Sequence, residues 1–387
     1  MSAHVVEDSN PIDVHESTKP EASRNPAINK WFKACVKLAS SDLHLKAGQP
    51  PVFRLKGDLK RAQEPPLSNA QIEEMVFEIL TPKQKQYYFE RGAIDFAHDL
   101  EGSDRFRVNV FRQRGHTSVA ARRVTAEIKG YDELHLPPSL SKIAEYHQGL
   151  VLLAGITGAG KSTTIAAMID QINTSRACHI VTIEDPIEYL YHDKKAVINQ
   201  REIGIDVPDF HAALKYLMRE DPDVVLIGEM RDRETFEAAM HAAETGHLVF
   251  GTIHASSSSQ TITRILDLFP EEARNLIRQS LVFNLRAIIC QKLLPSLMDD
   301  VPRVPVCEIM IANAPIRKLI AEGRDFDINA VLKTGKSEGM QDYNTALYDL
   351  VQREWIDVKT AYDVAPNPDE LKMMLKGIRS GQTGILG

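Results

Sequence analysis

The pattern of apolar and polar positions changes character near residue 138, and the change divides the chain. From about Ala27, the residues Ile28, Trp31, Phe32, Cys35, Val36 and Leu38 recur at helical spacing. Asp42 to Lys46 and Val52 to Lys56 alternate, and Gly57-Asp58 offers a turn, so this stretch predicts a hairpin. Ser68 is placed to cap a helix with Ile72, Met75, Val76 and Ile79 on its inner face, and Pro82 opens another short helix. Alternation returns over Ala93 to Leu100, Arg105 to Arg112 and Thr117 to Val124, interrupted by Glu101-Gly-Ser-Asp104 and Gln113-Arg-Gly115. These elements predict a small α+β domain over residues 27–129.

Residues 130–138 read as a linker stiffened by Pro137-Pro138. Beyond them, short wholly apolar runs alternate with helix-periodic segments, the signature of a parallel α/β sheet. Strands are expected at 150–154, 179–183, 223–228 and 248–252. After residue 270 the pattern is mainly helical, with one long segment from Glu271 to about Leu293, a strand at 304–311 and short helices to about 377. The second domain therefore spans 139–377. Residues 1–26 carry Pro, Ser, Glu and Asp without periodicity, and 378–387 are rich in Gly, so both ends are expected to be flexible.

The first apolar run of the second domain leads into Gly155-Ile-Thr-Gly-Ala-Gly-Lys161-Ser162, and a helix-periodic segment follows from Thr163. This is GxxxxGK[ST] in its required setting of strand, loop and helix. Gly155, Thr157, Gly158, Ala159 and Gly160 would curl backbone N–H groups around an anion, and the helix N-terminus adds its dipole. Lys161 would reach the β and γ phosphates, Ser162 would offer its hydroxyl to Mg²⁺, and Thr163 completes the first turn. ATP with Mg²⁺ is the ligand this stretch predicts.

Ligands of parallel sheets sit at the carboxyl ends of the strands. Just past those ends come Glu184-Asp185-Pro-Ile-Glu188, Glu229-Met-Arg231 and Ile253-His254. Asp223 and Glu229 flank one strand and lie roughly 20 Å apart at ~3.3 Å per residue, so only Glu229 falls on the nucleotide side. Glu229 is the candidate for the Mg²⁺ shell and Glu184 for the general base that activates water, a division of labour that could also be exchanged. Glu188 is the alternative to Glu184. His254 is placed to sense the γ-phosphate or the acids. His247, at the far end of its strand, reads as a loop histidine. The first domain is dense in arginine, and a phosphoryl-transfer site gains from an arginine supplied by another subunit. Arg107 and Arg123 are the candidates, and Arg219 and Arg231 could pair across an interface.

The bulk numbers narrow the setting. The 387 residues carry a formal net charge of −7, which implies no strongly basic surface, and nucleic acid is not an expected partner. No run approaches the ~18 apolar residues of a membrane span. The four cysteines, at 35, 178, 290 and 307, form no CxxC pair, which points away from zinc and toward a reducing, cytoplasmic compartment.

With these residues laid out, the chain from 28 to about 375 resembles the PilT-like type IV pilus retraction ATPases of the secretion ATPase superfamily. The resemblance rests on linked blocks: Ser41-Asp-Leu-His44, Arg105-Phe-Arg-Val-Asn109, the phosphate loop, Ile183-Glu-Asp-Pro-Ile-Glu188, Asp221 to Arg231, Glu244-Thr-Gly-His247 and Gly251-Thr-Ile-His254. It implies a PAS-like first domain, a RecA-like P-loop ATPase domain and a homo-hexameric ring with nucleotide between domains. The Glu184 region is similar to the family's Asp box, Glu229 to the end of its Walker B strand, and His247 and His254 to its His box. Ala314-Pro-Ile-Arg317-Lys-Leu-Ile320 is similar to its C-terminal retraction motif, with Pro315 a departure. The implied partners are an inner-membrane platform protein, pilin indirectly and a paralogous ATPase, met at the inner face of the cytoplasmic membrane. Three other functions compete, one of them a conjugation-type or DNA-handling ATPase, against which the acidic balance argues. Assembly and type II secretion ATPases typically carry a four-cysteine zinc insert, absent from this sequence. A scaffold that binds ATP without hydrolysing it would not need Lys161, Ser162, Glu184 and Glu229 together.

Overall fold

The computed structural model describes residues 25–55 and 57–377. The chain divides into two units, Met1–Ala126 and Glu127–Gly387. The expected leader at 1–26, apart from its last two residues, and the tail at 378–387 lie outside the described residues.

The first unit is built on a six-stranded antiparallel sheet in the order β3-β2-β1-β6-β5-β4. Its strands are β1 (Asp42–Lys46), β2 (Val52–Leu55), β3 (Asp58–Arg61), β4 (Ala93–Asp99), β5 (Arg105–Gln113) and β6 (His116–Val124). The predicted hairpin is β1 with β2, and β2 turns again at Gly57 to pair with β3, a short exposed strand whose polar residues carry little periodic signal. Strand β5 shows why one face is covered: Phe106, Val108 and Val110 are buried, while Arg105, Arg107 and Asn109 alternate with them. Phe32 of the helix Asn29–Lys37 stacks on Phe106, with ring centroids 4.4 Å apart. The helices Asn69–Phe77 and Pro82–Arg91 start at capping boxes, Ser68 with Gln71 and Thr81 with Gln84.

The second unit carries a seven-stranded sheet in the order β13-β12-β7-β11-β10-β8-β9. Its strands are β7 (Gly149–Ala154), β8 (His179–Glu184), β9 (Val197–Glu202), β10 (Val224–Ile227), β11 (Leu248–Ile253), β12 (Leu285–Pro295) and β13 (Arg303–Ile311). All neighbours are parallel except β12 and β13. Every residue of β7, β10 and β11 is buried, because helices cover both faces. Alternate residues feed two cores. Leu150, Val181 and Val225 pack with Phe236 and Met240 of the helix Arg233–Glu244, while Val151, Ile180 and Val224 pack with Ile165 and Met168 of the helix Lys161–Ser175.

Two expectations are corrected. Residues 130–138 are not a free linker: Leu136 is 7% exposed and belongs to the same core as Leu140, with Tyr131 and Leu134 packed against it. The long helix from Glu271 to Leu293 ends at Asn284, and the rest is β12, buried between β7 and β13. Burial on both faces removes the alternation that would mark a strand, and no Gly or Pro separates Asn284 from Leu285.

Candidate nucleotide site

Parallel register brings the strand ends into one row, since Leu152, Gly251, Ile227 and Ile183 are cross-strand neighbours. Beyond Ala154 the chain turns through Gly158 and Gly160, both at positive φ (+78° and +87°). Gly160 is the N-cap of the helix Lys161–Ser175 and has no side chain to cap it, which leaves the first-turn N–H groups for an anion. The Lys161 ammonium donates to the carbonyls of Gly155 (2.8 Å) and Ile156 (3.1 Å). Burial lowers its pKa, opposed by the charges of Glu229 and Glu188.

Residues Thr157 to Thr163 line a cavity of about 370 Å³ together with Glu184, Glu188, Glu229 and His254. The fold brings these residues, expected at the strand ends, into one lining. The two acids differ in environment. Glu184 is 8% exposed, and burial raises its carboxyl to about 7, against hydrogen bonds that lower it. Thr182 Oγ1 donates to its Oε1 at 2.7 Å and Gln200 Nε2 donates to the same oxygen at 3.2 Å. Glu229 is held below the usual carboxylate range, chiefly by Arg231, whose Nη2 donates to Oε2 at 2.6 Å. His254 Nε2 lies 3.1 Å from the other oxygen. The site therefore pairs a fixed anion with a carboxyl that titrates near neutral pH.

Several contributors carry no local sequence signal. Gln200 of β9 bridges Glu184 and the Tyr189 carbonyl (2.8 Å), and the Tyr189 hydroxyl bonds Thr163 Oγ1 (2.8 Å). Thr252 Oγ1 donates to the Gly228 carbonyl at 2.5 Å, tying the ends of β11 and β10. Leu293 and Arg303, from β12 and β13, close another wall of the cavity. Only long-range pairing places them, so spacing within one segment could not reveal them.

Other candidates fall elsewhere. Asp223 accepts a hydrogen bond from the His179 N–H at 2.8 Å, a strand-start anchor. His247 Nδ1 lies 2.9 Å from the Ala242 carbonyl at a helix end. Arg231 is engaged by Glu229 within its own chain. Arg107 and Arg123 belong to the first unit. Arg123 is bound to Asp104, with side-chain exposures of only 16% and 8%. Arg317 donates from Nε to the Ala312 carbonyl at 2.8 Å, at the start of the helix Ala314–Ala321.

Ser162 and Glu229 both line the cavity, and a hydroxyl and an ionised carboxylate are hard oxygen donors of the kind Mg²⁺ takes alongside phosphate oxygens. Among the described residues no group of three or more His, Cys, Asp or Glu could form a cage for a metal by itself. The donor set fits a cation that arrives with the nucleotide.

A glycine loop and helix N-terminus at the carboxyl edge of a mostly parallel sheet, faced by two carboxylates, define a P-loop nucleoside triphosphatase. The chain matches the Type II/IV secretion system protein family over residues 19–323 and belongs to that family. It is an ATPase of this family. It is 40% identical over 342 residues to the type IV pilus retraction ATPase PilT of Pseudomonas aeruginosa, covering 88% of this chain and 99% of the relative. A twitching motility protein of Neisseria gonorrhoeae is 41% identical over 321 residues, covering 83% and 86%. The crystal structure of the pilus retraction motor PilT with bound ADP superposes with a TM-score of 0.82 at 42% identity, covering 90% of this chain and 99% of that one.

Proposed function

We propose that the chain is a hexameric Mg-ATP-hydrolysing motor that powers type IV pilus retraction through an inner-membrane platform protein, working from the cytoplasm. The match to a retraction ATPase along 99% of that relative's length carries this reading. The absence of any CxxC pair from the sequence sets it apart from the zinc-bearing assembly ATPases. The first unit is read as PAS-like and the second as RecA-like. Among the described residues no helix is long and apolar enough to cross a membrane, which accords with a motor that acts on a separate membrane partner.

In the mechanism that follows, the loop N–H groups and Lys161 bind the phosphates. Lys161 exchanges its bonds to Gly155 and Ile156 for bonds to phosphate oxygens. Magnesium, held by Ser162 and Glu229, would offset phosphate charge when bound. Glu184 accepts a proton from the attacking water, a role suited to a carboxyl that titrates at about 7. His254, bonded to Glu229, registers the loss of the γ-phosphate. An arginine from a neighbouring subunit, for which Arg107 and Arg123 are the candidates, completes the site.

ATP turnover per subunit across a wide range of protein concentration tests the ring. Turnover that rises with assembly supports a site completed between chains. Constant turnover from a monomer at every dilution refutes it. Retraction itself is tested by expressing the chain in a piliated strain that lacks its retraction ATPase. Failure to restore pilus retraction despite normal turnover would refute that half.

A further inference from the structure

Gln291, near the middle of β12, is 2% exposed and touches the phosphate loop at several points. Its Nε2 donates to the Ala159 carbonyl at 2.9 Å, and its Oε1 accepts from Thr164 Oγ1 at 2.8 Å. Cys307, its register partner on β13, places Sγ 3.8 Å from the same oxygen. A carbonyl can only accept, so the amide group facing Ala159 must be the NH₂, and the orientation of the side chain is fixed. The loop glycines close on the same residue. A Cβ on Gly155 would lie 2.6 Å from the Gln291 carbonyl oxygen, and one on Gly160 would lie 2.7 Å from Nε2. Gln291 thus brackets the loop at its entry and its exit.

In a trans peptide the C=O and the following N–H point in opposite directions. The bond that draws the Ala159 carbonyl toward Gln291 therefore turns the Gly160 N–H to the other side of the loop. We propose that Gln291 is a positioning residue for nucleotide binding: it holds the 159–160 peptide so that the Gly160 N–H faces the phosphates. The inference rests on the reading of residues 155–163 as the nucleotide loop. Without the amide, the buried Ala159 carbonyl loses its partner, and glycine at 160 offers little resistance to rotation of the peptide. A rotated peptide would present oxygen, not N–H, to an anion.

The experiment uses the full chain and measures the Kd for ATP and ADP with magnesium, alongside KM and kcat. Gln291→Met keeps the volume and removes both hydrogen bonds. The expected result is about tenfold weaker nucleotide binding, the scale of one lost hydrogen bond, with KM raised to match and kcat at saturation within about twofold. Gln291→Glu adds a readout that a packing role would not move. A protonated carboxyl can donate to Ala159 and accept from Thr164, whereas a carboxylate repels the carbonyl. Relative to the unsubstituted chain, the Gln291→Glu variant should bind nearly normally at pH 6 and lose about tenfold by pH 9. Normal affinity in Gln291→Met, a loss confined to kcat, or a pH-independent affinity ratio in Gln291→Glu would each overturn the proposal. If Gln291→Met does not fold, the Gln291→Glu titration decides. Lys161→Ala separates the two readings: nucleotide binding retained there refutes the loop itself, while binding lost there but normal in the Gln291 variants refutes only the role of Gln291.

Discussion

His254 Nε2 stands 3.1 Å from Glu229 Oε1, a contact that joins the ends of the adjacent strands β10 and β11. With Arg231 on the other oxygen, Glu229 has both acceptors engaged and its charge fixed. His254→Ala should therefore release the carboxylate without disturbing the loop. Turnover is expected to fall about 10- to 100-fold, the range for a group that stabilises or positions transition-state charge, while ADP affinity stays within about twofold. An equal loss in both would place His254 in binding instead.

Glu184 gives the site a pH dependence whose sign is set. Its folded value of about 7 lies above the ordinary 4.5, so the folded chain holds this proton more tightly than the unfolded chain. The stability this lends is present in full below pH 4.5 and is lost as pH rises through 7. Glu184→Gln removes the cost of a buried charge, and at pH 8 it should gain up to about 3 kcal/mol on the native chain relative to pH 4.5. Denaturant titrations at the two pH values measure this. The same substitution should abolish turnover, and in the native chain kcat should fall as pH drops below about 7. Thr182→Val, which removes the shortest hydrogen bond to the carboxylate, should move that fall to higher pH.

The first-unit arginines separate by assay. Arg123→Ala leaves the buried Asp104 with the Ala126 N–H but without its counter-charge, and should cost about 3 kcal/mol of stability, seen as a lower Tm of the whole chain. Arg107→Ala should leave Tm within a few degrees and lower turnover in the assembled state by ~10³-fold, the scale of a lost arginine finger. Normal turnover in Arg107→Ala would remove it from the site.

What could be read before folding was what lies close in sequence. The phosphate loop, the acids past β8 and β10, and His254 all follow short apolar runs, and the rule for parallel strand ends places them on one edge. The capping serine at 68 was equally legible. Arg123 was not, because its partner Asp104 comes from the turn before β5 and only sheet pairing brings the two together. Gln200, Arg303 and Gln291 sit on strands whose location depends on pairings across the sheet. β12 carries no alternation to mark it as a strand because both its faces are covered.

Gly228 follows β10, and its N–H donates to the Ile183 carbonyl of β8 at 2.8 Å. A Cβ there would lie 3.1 Å from the Ile183 carbonyl and 3.2 Å from Glu184 Cα. Gly228→Ala must push the two strand ends apart, and with them Glu184 and Glu229. Turnover should drop at least tenfold while Tm falls only a few degrees. Unchanged turnover would show that the spacing of the two acids is not critical.

The bond from Gln291 to Ala159 spans 132 positions of sequence. On the ribosome, at ~5–20 residues per second, the loop would be synthesised roughly ten seconds before the strand that orients it. With Gln291 as its anchor, a nascent chain would carry the complete Walker sequence and still hold nucleotide poorly until β12 had emerged. Stalled chains ending before and after β13 should then differ in nucleotide affinity, and early segments of the motor would be kept from capturing ATP before the fold that uses it exists.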